Sequence, residues 1–460
     1  MNTQTALWLA TLLGLVSTPP IAADPGPFPP TPEHANQVLV QYKPGVSAQQ
    51  RQTIRRRHTL SLSRQAKRPR LEFGLGALER LHIPEGGNMT RILAQLNRNP
   101  KVEYAEPDWI NRFAALANDE YVTAGWMWNL YGNDSSPASL YGIQVSNSWM
   151  QGNTGSSDIV IGIIDEGVQI DHPDLAPNIW TNPYDPVDGL DNDGNGYIDD
   201  THGWDMFHGD NTVYDGGLSG TLDRHGTHVA GIIGARGGNR IGIAGINWQV
   251  TLIPCKIGEG QSSTLSAIEC IDYFTDLKKR HGLNIVATNN SWGGGGYSTA
   301  LEAAINRAGD AGILFVTASG NSGTNNDTSA YYPANYSCTN SSLRDFDCII
   351  AVASMNSLGT LSSFSDYGVN SVDIAAPGTA VFSTVPPGQY DTMNGTSMAA
   401  PHVTGIIALY AASKRDPLTG LVPAPGILRS ALLDGASTNP NLSGKVASSR
   451  QLDARGTLGR

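Results

Sequence analysis

Ser397 lies in the run NGTSMAAPH, Asn394 to His402, between glycine, threonine and small residues at the mouth of an expected helix. A serine hydroxyl is a weak nucleophile until a base takes its proton and donors await the oxyanion that forms. Three other stretches offer those partners. VIGIIDEGVQIDHPDL carries Asp165 at the end of a strand-like run, DRHGTHVAGIIGA carries His225 at a helix entry, and FVTASGNSG carries Asn321 beyond another strand. Together they outline acyl transfer. Ser397 attacks a carbonyl, His225 relays the proton, Asp165 fixes the imidazole, and the Asn321 amide with the Ser397 N–H holds the oxyanion. Alone, Ser397 reads as a helix cap. A carboxylate ending a buried strand, by contrast, needs a partner to offset its desolvation.

Asp, His and Ser in that chain order, within HGTHVAG and NGTSMAAPH, resemble the subtilisin-like serine protease family, whose order this is. The resemblance implies an endopeptidase working through an acyl-enzyme on polypeptide substrates. It also implies that Ser291, Trp292 and Gly293, in NNSWGGGG, form the edge that pairs with extended substrate, with Trp292 where a smaller apolar residue is usual. Tyr331 is expected at the base of the primary specificity pocket, restricting large side chains. One departure stands beside the acid. Glu166 follows Asp165 where Ser or Thr is usual, so a hydroxyl that could orient the carboxylate is missing. Two other classes fit less well: an esterase would want G-x-S-x-G, which is absent, and a catalytically silent binding protein would have lost part of the triad.

DGLDNDGNGYIDD places Asp191, Asp193 and Asn195 at alternate positions, Gly196 sixth and the Tyr197 carbonyl seventh, the first half of an EF-hand-like calcium loop. The glutamate expected at position twelve is absent, and Asp199 or Asp200 is left to supply that oxygen. A second calcium site is implied by resemblance alone: Asp174, with Asn239 and the carbonyls of Ile241 and Ile243 in GGNRIGI.

These residues need a scaffold. From Asp158 onward, strand runs (IVIGIID, VTLIPCKI, NIVATNNS, GILFVTAS, CIIAVAS, VDIAAPG) alternate with helical stretches, an α/β pattern of mostly parallel strands with helices on both faces. Functional residues are then expected at strand ends and helix starts. Upstream, NQVLVQYKPG, SAQQRQTIRRRH, LERLHIPEG, a helix capped by Asn88, and VEYAEPD read as strand, helix, strand, helix, strand. With one further short strand this is a small α+β, ferredoxin-like unit, and it resembles the propeptide of the same family. The expected organisation is a signal peptide over 1–23, a Pro-rich connector over 24–35, a propeptide over 36–114 and a peptidase domain over 115–460. Self-cleavage is expected between Asn111 and Asn118.

With 460 residues, 40% hydrophobic and 15% charged, the chain is a folded protein with a sizeable core. MNTQTALWLATLLGLVSTPPIAA has a short apolar run ending in small residues, which points to secretion, extracellular or periplasmic, although Lys and Arg are missing from its start. No other segment is expected to enter a membrane. Asp24–Ala114 carries 14 Lys and Arg against 8 Asp and Glu, whereas the remainder carries 16 against 33. A basic front beside an acidic body suggests parts that attract each other and argues against nucleic acid as a partner. A monomer is expected. Four cysteines in an exported chain favour disulfides; Cys338 and Cys348 flank a polar insertion, Cys255 and Cys270 lie on a strand and a helix, and three connectivities are open.

Overall fold

The computed structural model describes residues 37–65, 76–84, 87–108, 117–216, 221–339, 344–447 and 449–460. The expected signal peptide and connector, and most of the expected cleavage segment, lie outside them. The chain forms two compact units, one on either side of residue 111.

In the first unit, β1 (Gln37–Tyr42), α1 (Ala48–Arg57), β2 (Ser61–Gln65), β3 (Leu78–His82), α2 (Met89–Asn97) and β4 (Val102–Pro107) follow one another. The expected further strand is β2. The strands form an antiparallel sheet in the order β2-β3-β1-β4. Alternation decides which side chains turn inward, so Val38, Val40 and Tyr42 of β1 meet Ile54 of α1 and Leu96 of α2. Ser47 and Asn88 cap the two helices through their side chains. Glu79 is buried, but Arg51 and Arg55 from α1 reach it at 2.9 and 2.6 Å, so its charge is paired.

The second unit opens with α3 (Glu120–Thr123), α4 (Ser146–Met150), β5 (Gly155–Asp165), β6 (Trp204–Asp205), α5 (Arg224–Gly234), β7 (Gln249–Lys256), α6 (Thr264–His281), β8 (Ile285–Asn290), α7 (Thr299–Asp310) and β9 (Leu314–Ala318). It continues with β10 (Ile349–Met355), β11 (Ile374–Pro377), β12 (Val381–Val385), β13 (Gln389–Met393), α8 (Thr396–Lys414), α9 (Pro425–Gly435), β14 (Ser437–Thr438), β15 (Arg450–Gln451) and α10 (Ala454–Leu458). Among the described residues one sheet runs β14-β15-β11-β10-β9-β8-β5-β7-β6, parallel throughout except for β14.

Both faces of this sheet are covered. β5 sends Ile159, Ile161 and Ile163 toward α5 and α8, and Val160 and Ile164 toward α6. Helix α8 is buried around its whole circumference from Thr396 to Ala411, Ser397 excepted, as befits a helix enclosed by core rather than laid on it. Disulfides join Cys255 of β7 to Cys270 of α6 and Cys338 to Cys348. Each closes a short loop, which removes unfolded-chain freedom on the order of 3 kcal/mol. The antiparallel hairpin β12–β13 and the pairing of the last strands were not evident in the sequence pattern.

Candidate active site

Strand β5 ends on Asp165, which is buried. Its Oδ1 accepts the His225 Nδ1–H at 2.7 Å and the Glu166 N–H at 2.9 Å. A carboxylate has no proton to give, so Nδ1 is the donor and Nε2 remains the basic nitrogen. Burial alone would lower the His225 pKa, but the charge and hydrogen bond of Asp165, helped by Glu166, outweigh it and raise it to about 9. Among the described residues Asp165 Oδ2 is buried without a hydrogen-bond partner. Gly226 allows this closeness: a Cβ there would strike the Gly167 carbonyl and the Asp165 side chain.

Ser397 is the second residue of α8, so its carbonyl would ordinarily accept the N–H of residue 401. That residue is proline, which has none. Ser291 Oγ–H fills the vacancy at 2.8 Å, while the Ser397 hydroxyl donates to the Ser291 carbonyl at 3.1 Å. Asn321 Oδ1 accepts both the N–H and the hydroxyl of Thr396, each at 2.9 Å. Its oxygen is therefore committed, and its amide nitrogen flanks Gly395 beside the Ser397 side chain.

Asp165, Glu166, His225, Asn321 and Ser397 all line one cleft of about 590 Å³. Ile257–Gly258 and Gly260–Thr264 form part of its wall, Ser291–Gly293 and Gly295–Gly296 another, and Tyr331 and Tyr332 a third. The Tyr331 ring sits against the bare α-carbon of Gly293, where a Cβ would approach it to 2.6 Å, and beside Gly320 at 3.1 Å. Trp292 packs edge-on against Phe315 in the second core. His228 and His402 are buried, with pKa values pushed down by burial to about 3 and about 4. His228 Nε2 meets the carbonyls of Val381 and Asp391, and His402 Nδ1 meets that of Met398.

The candidate metal residues separate into those that converge and those that do not. Asp193 Oδ2 and Asp200 Oδ2 both meet the Asn195 amide, at 3.3 and 3.0 Å, and Asp191 and Asp193 share the Asn195 N–H. Asp199 instead caps the N–H groups of Asp188 and Gly189, which leaves Asp200 as the converging carboxylate. Tyr197 donates its N–H to Asn195 Oδ1. Burial pushes Asp200 up to about 6, with Asp193 adding to it. This oxygen-rich knot fits a hard cation.

Asp174 is buried and also raised to about 6 by burial, with nearby Asp119 adding repulsion. Asn239 Nδ2, the Ile243 N–H and the Tyr390 hydroxyl reach Asp174 at 2.8, 2.9 and 3.0 Å, while Asn239 Oδ1 takes the Ile241 N–H. Two buried carboxylates side by side again suit a cation.

Sequence reasoning missed Asp119 and Asp185, both buried. Asp119 accepts from Gly238 and Asn239, and Asp185 accepts from Asn192 and Asp200. Asp119 lies far upstream of Asp174, and no local motif marks it. Among the described residues, the metal-ligand atoms of Asp205, His208 and Asp215 also cluster. Their neighbourhood already holds an internal cation: buried Lys256 contacts Asp215, Asp223 and Glu259 at 2.5, 2.9 and 3.1 Å.

A parallel α/β scaffold that gathers a carboxylate–imidazole pair, a serine and an amide at strand ends and helix starts is that of a serine hydrolase. The model of the Subtilase family matches residues 156–449, and that of the fervidolysin N-terminal prodomain matches 34–108. The chain belongs to the subtilase family and is a serine endopeptidase with a prodomain. It is 30% identical over 401 residues to the thermophilic serine proteinase of Bacillus sp. strain AK1, covering 84% of each chain. It is 34% identical over 258 residues to thermitase of Thermoactinomyces vulgaris, covering 56% of this chain and 76% of that one. Among solved structures, a protease of Pseudoalteromonas arctica PAMC 21717 superposes with a TM-score of 0.56 at 25% identity, covering 75% of this chain and 99% of that one.

Proposed function

We propose that this protein is a secreted, self-processing endopeptidase in which Ser397 is the nucleophile, His225 the base and Asp165 its orienting acid. The observation that carries this reading is the Asp165–His225 pair opening on the same cleft as Ser397 and Asn321. The Ser397 hydroxyl rests on the Ser291 carbonyl; turning it toward His225 Nε2 starts the reaction. His225 takes the proton, the Asn321 amide and Ser397 N–H receive the oxyanion, and the imidazolium returns the proton to the leaving amine. Water then repeats the sequence on the acyl-enzyme.

Ser291, Trp292 and Gly293 supply the edge for an extended peptide, and the Tyr331 ring shortens the pocket for the residue before the cut. Small residues are therefore preferred there. Asp191, Asp193, Asn195, the Tyr197 carbonyl and Asp200 hold one calcium, and Asp174, Asn239 and the carbonyls of Ile241 and Ile243, joined by Asp119, hold a second. Bound calcium neutralises these carboxylates and ties their loops. The first substrate is the chain itself, cut between Asn111 and Asn118 after export, and the prodomain restrains the enzyme until then.

Expression of the full chain and of Ser397→Ala tests the reading. The wild type is expected to mature with a new N-terminus in that interval and to label with a fluorophosphonate at Ser397. The variant should accumulate with its prodomain attached. Maturation of the variant in a host lacking other proteases overturns self-processing, and an unlabelled wild type overturns the nucleophile.

A further inference from the structure

Glu166 follows Asp165 where a hydroxyl residue is usual, and its carboxylate binds the main chain of His225. Glu166 Oε1 accepts the backbone N–H of His225 at 2.8 Å. Its own N–H binds Asp165 Oδ1, the same oxygen that holds the imidazole. His225 lies in the first turn of α5, where N–H groups have no partner within the helix. The N-cap residue of α5, Asp223, adopts a left-handed conformation at φ 59° and makes no side-chain cap, because its carboxylate is committed to Lys256 and to the Asp215 N–H. The acceptor that this turn lacks comes from the end of β5 instead.

We propose that Glu166 is a positioning residue for the base: it fixes the His225 backbone to the strand end that carries Asp165 and sets a second carboxylate close to the histidine. The inference rests on the triad reading above. Two tethers then act on one histidine from adjacent residues, Asp165 on the ring and Glu166 on the main chain. An anion at the first turn of α5 is also favoured by the helix dipole.

The electrostatic surroundings bear this out. Around His225 stand Asp165 at the end of β5, Glu166 just after it, Asp223 and Arg224 at the entry of α5, and His228 in the same helix. Asp391 of β13 pairs with Arg224, and Lys256 of β7 pairs with Asp223. Both cations are thus engaged by carboxylates, leaving Asp165 and Glu166 to act on the imidazole. Burial raises the Glu166 pKa, the neighbouring Asp165 adding to it, and the His225 N–H holds it down.

The test is the pH dependence of kcat/KM for the mature wild type, Glu166→Gln and Glu166→Ala on a peptide substrate. The glutamine keeps an acceptor for the His225 N–H and loses the charge; alanine loses both. The acidic limb is expected to move to lower pH by about 0.5 to 1 in both variants, as removal of one nearby charge would give. Alanine should lower kcat about tenfold with KM within about twofold, and glutamine should retain more of kcat. An unmoved limb in both variants overturns the inference. So does a loss confined to KM and to substrates with a cationic side chain, which would make Glu166 a substrate contact. Fluorophosphonate labelling of the wild type runs alongside: no labelling defeats the triad reading itself, whereas a labelled, active wild type with unmoved limbs defeats only this inference.

Discussion

Ser291, just beyond β8, and Ser397, at the start of α8, hold each other, each hydroxyl bonded to the other's carbonyl. Pro401 makes the arrangement necessary, because it withdraws the N–H that the Ser397 carbonyl would otherwise receive. Ser291→Ala leaves that carbonyl without its partner, at a cost of about 1–3 kcal/mol. Calorimetry should show a lower Tm, and kinetics a several-fold fall in kcat. Adding Pro401→Ala to Ser291→Ala restores an N–H at the helical position and should recover part of the Tm. A double variant no more stable than Ser291→Ala would refute this account of the proline.

Asn321 has two ends with separate tasks. Its oxygen holds Thr396, and its nitrogen is the proposed oxyanion donor. Asn321→Asp keeps the first and removes the second, so thermal stability should stay close to wild type. Turnover should drop about 10²–10³-fold, the loss found when the comparable donor of subtilisin is removed, with little change in KM. A variant retaining more than about a tenth of wild-type kcat would exclude this donor role.

Much of this was legible because it is local. The apolar run into Asp165, the helix entry at His225 and the Asn88 cap are set by neighbours in the chain. Alternating strands and helices were enough to indicate the parallel sheet. Contacts between distant segments were not legible. Ser291 and Ser397 lie 106 residues apart, and the Asp119 carboxylate joins the Asp174 neighbourhood through backbone donors in another loop. Periodicity carries no information about such pairs. Glu166 was visible as a departure from the family pattern, but that it would reach the His225 N–H depends on how closely the β5 end approaches α5.

Tyr331 predicts cleavage preference. Its ring lies beside Gly293 and Gly320 in the cleft wall, in the pocket proposed to receive the residue before the cut. Tyr331→Ala should raise kcat/KM for phenylalanine before the scissile bond at least about tenfold relative to alanine, the scale on which pockets discriminate apolar side chains. Peptide-library profiling would measure it. An unchanged preference would place the specificity pocket elsewhere on the cleft wall.

The proposed calcium sites predict a pH dependence of definite sign. Asp174 and Asp200 are raised from 3.8 to about 6 in the folded protein, so without metal the unfolded chain loses its protons first as pH rises. Their contribution to stability is full below pH 3.8 and is lost as pH climbs through about 6. Calcium needs the ionised carboxylates and reverses this trend. The Tm of fluorophosphonate-inhibited enzyme in calcium, minus that in chelator, should be near zero at about pH 4 and rise to a plateau above about pH 6. Asp200→Asn should remove the share of the Asp191 loop, and Asp174→Asn that of the second site. A calcium increment equal at both pH values, or untouched by both substitutions, would rule out these carboxylates as the ligands.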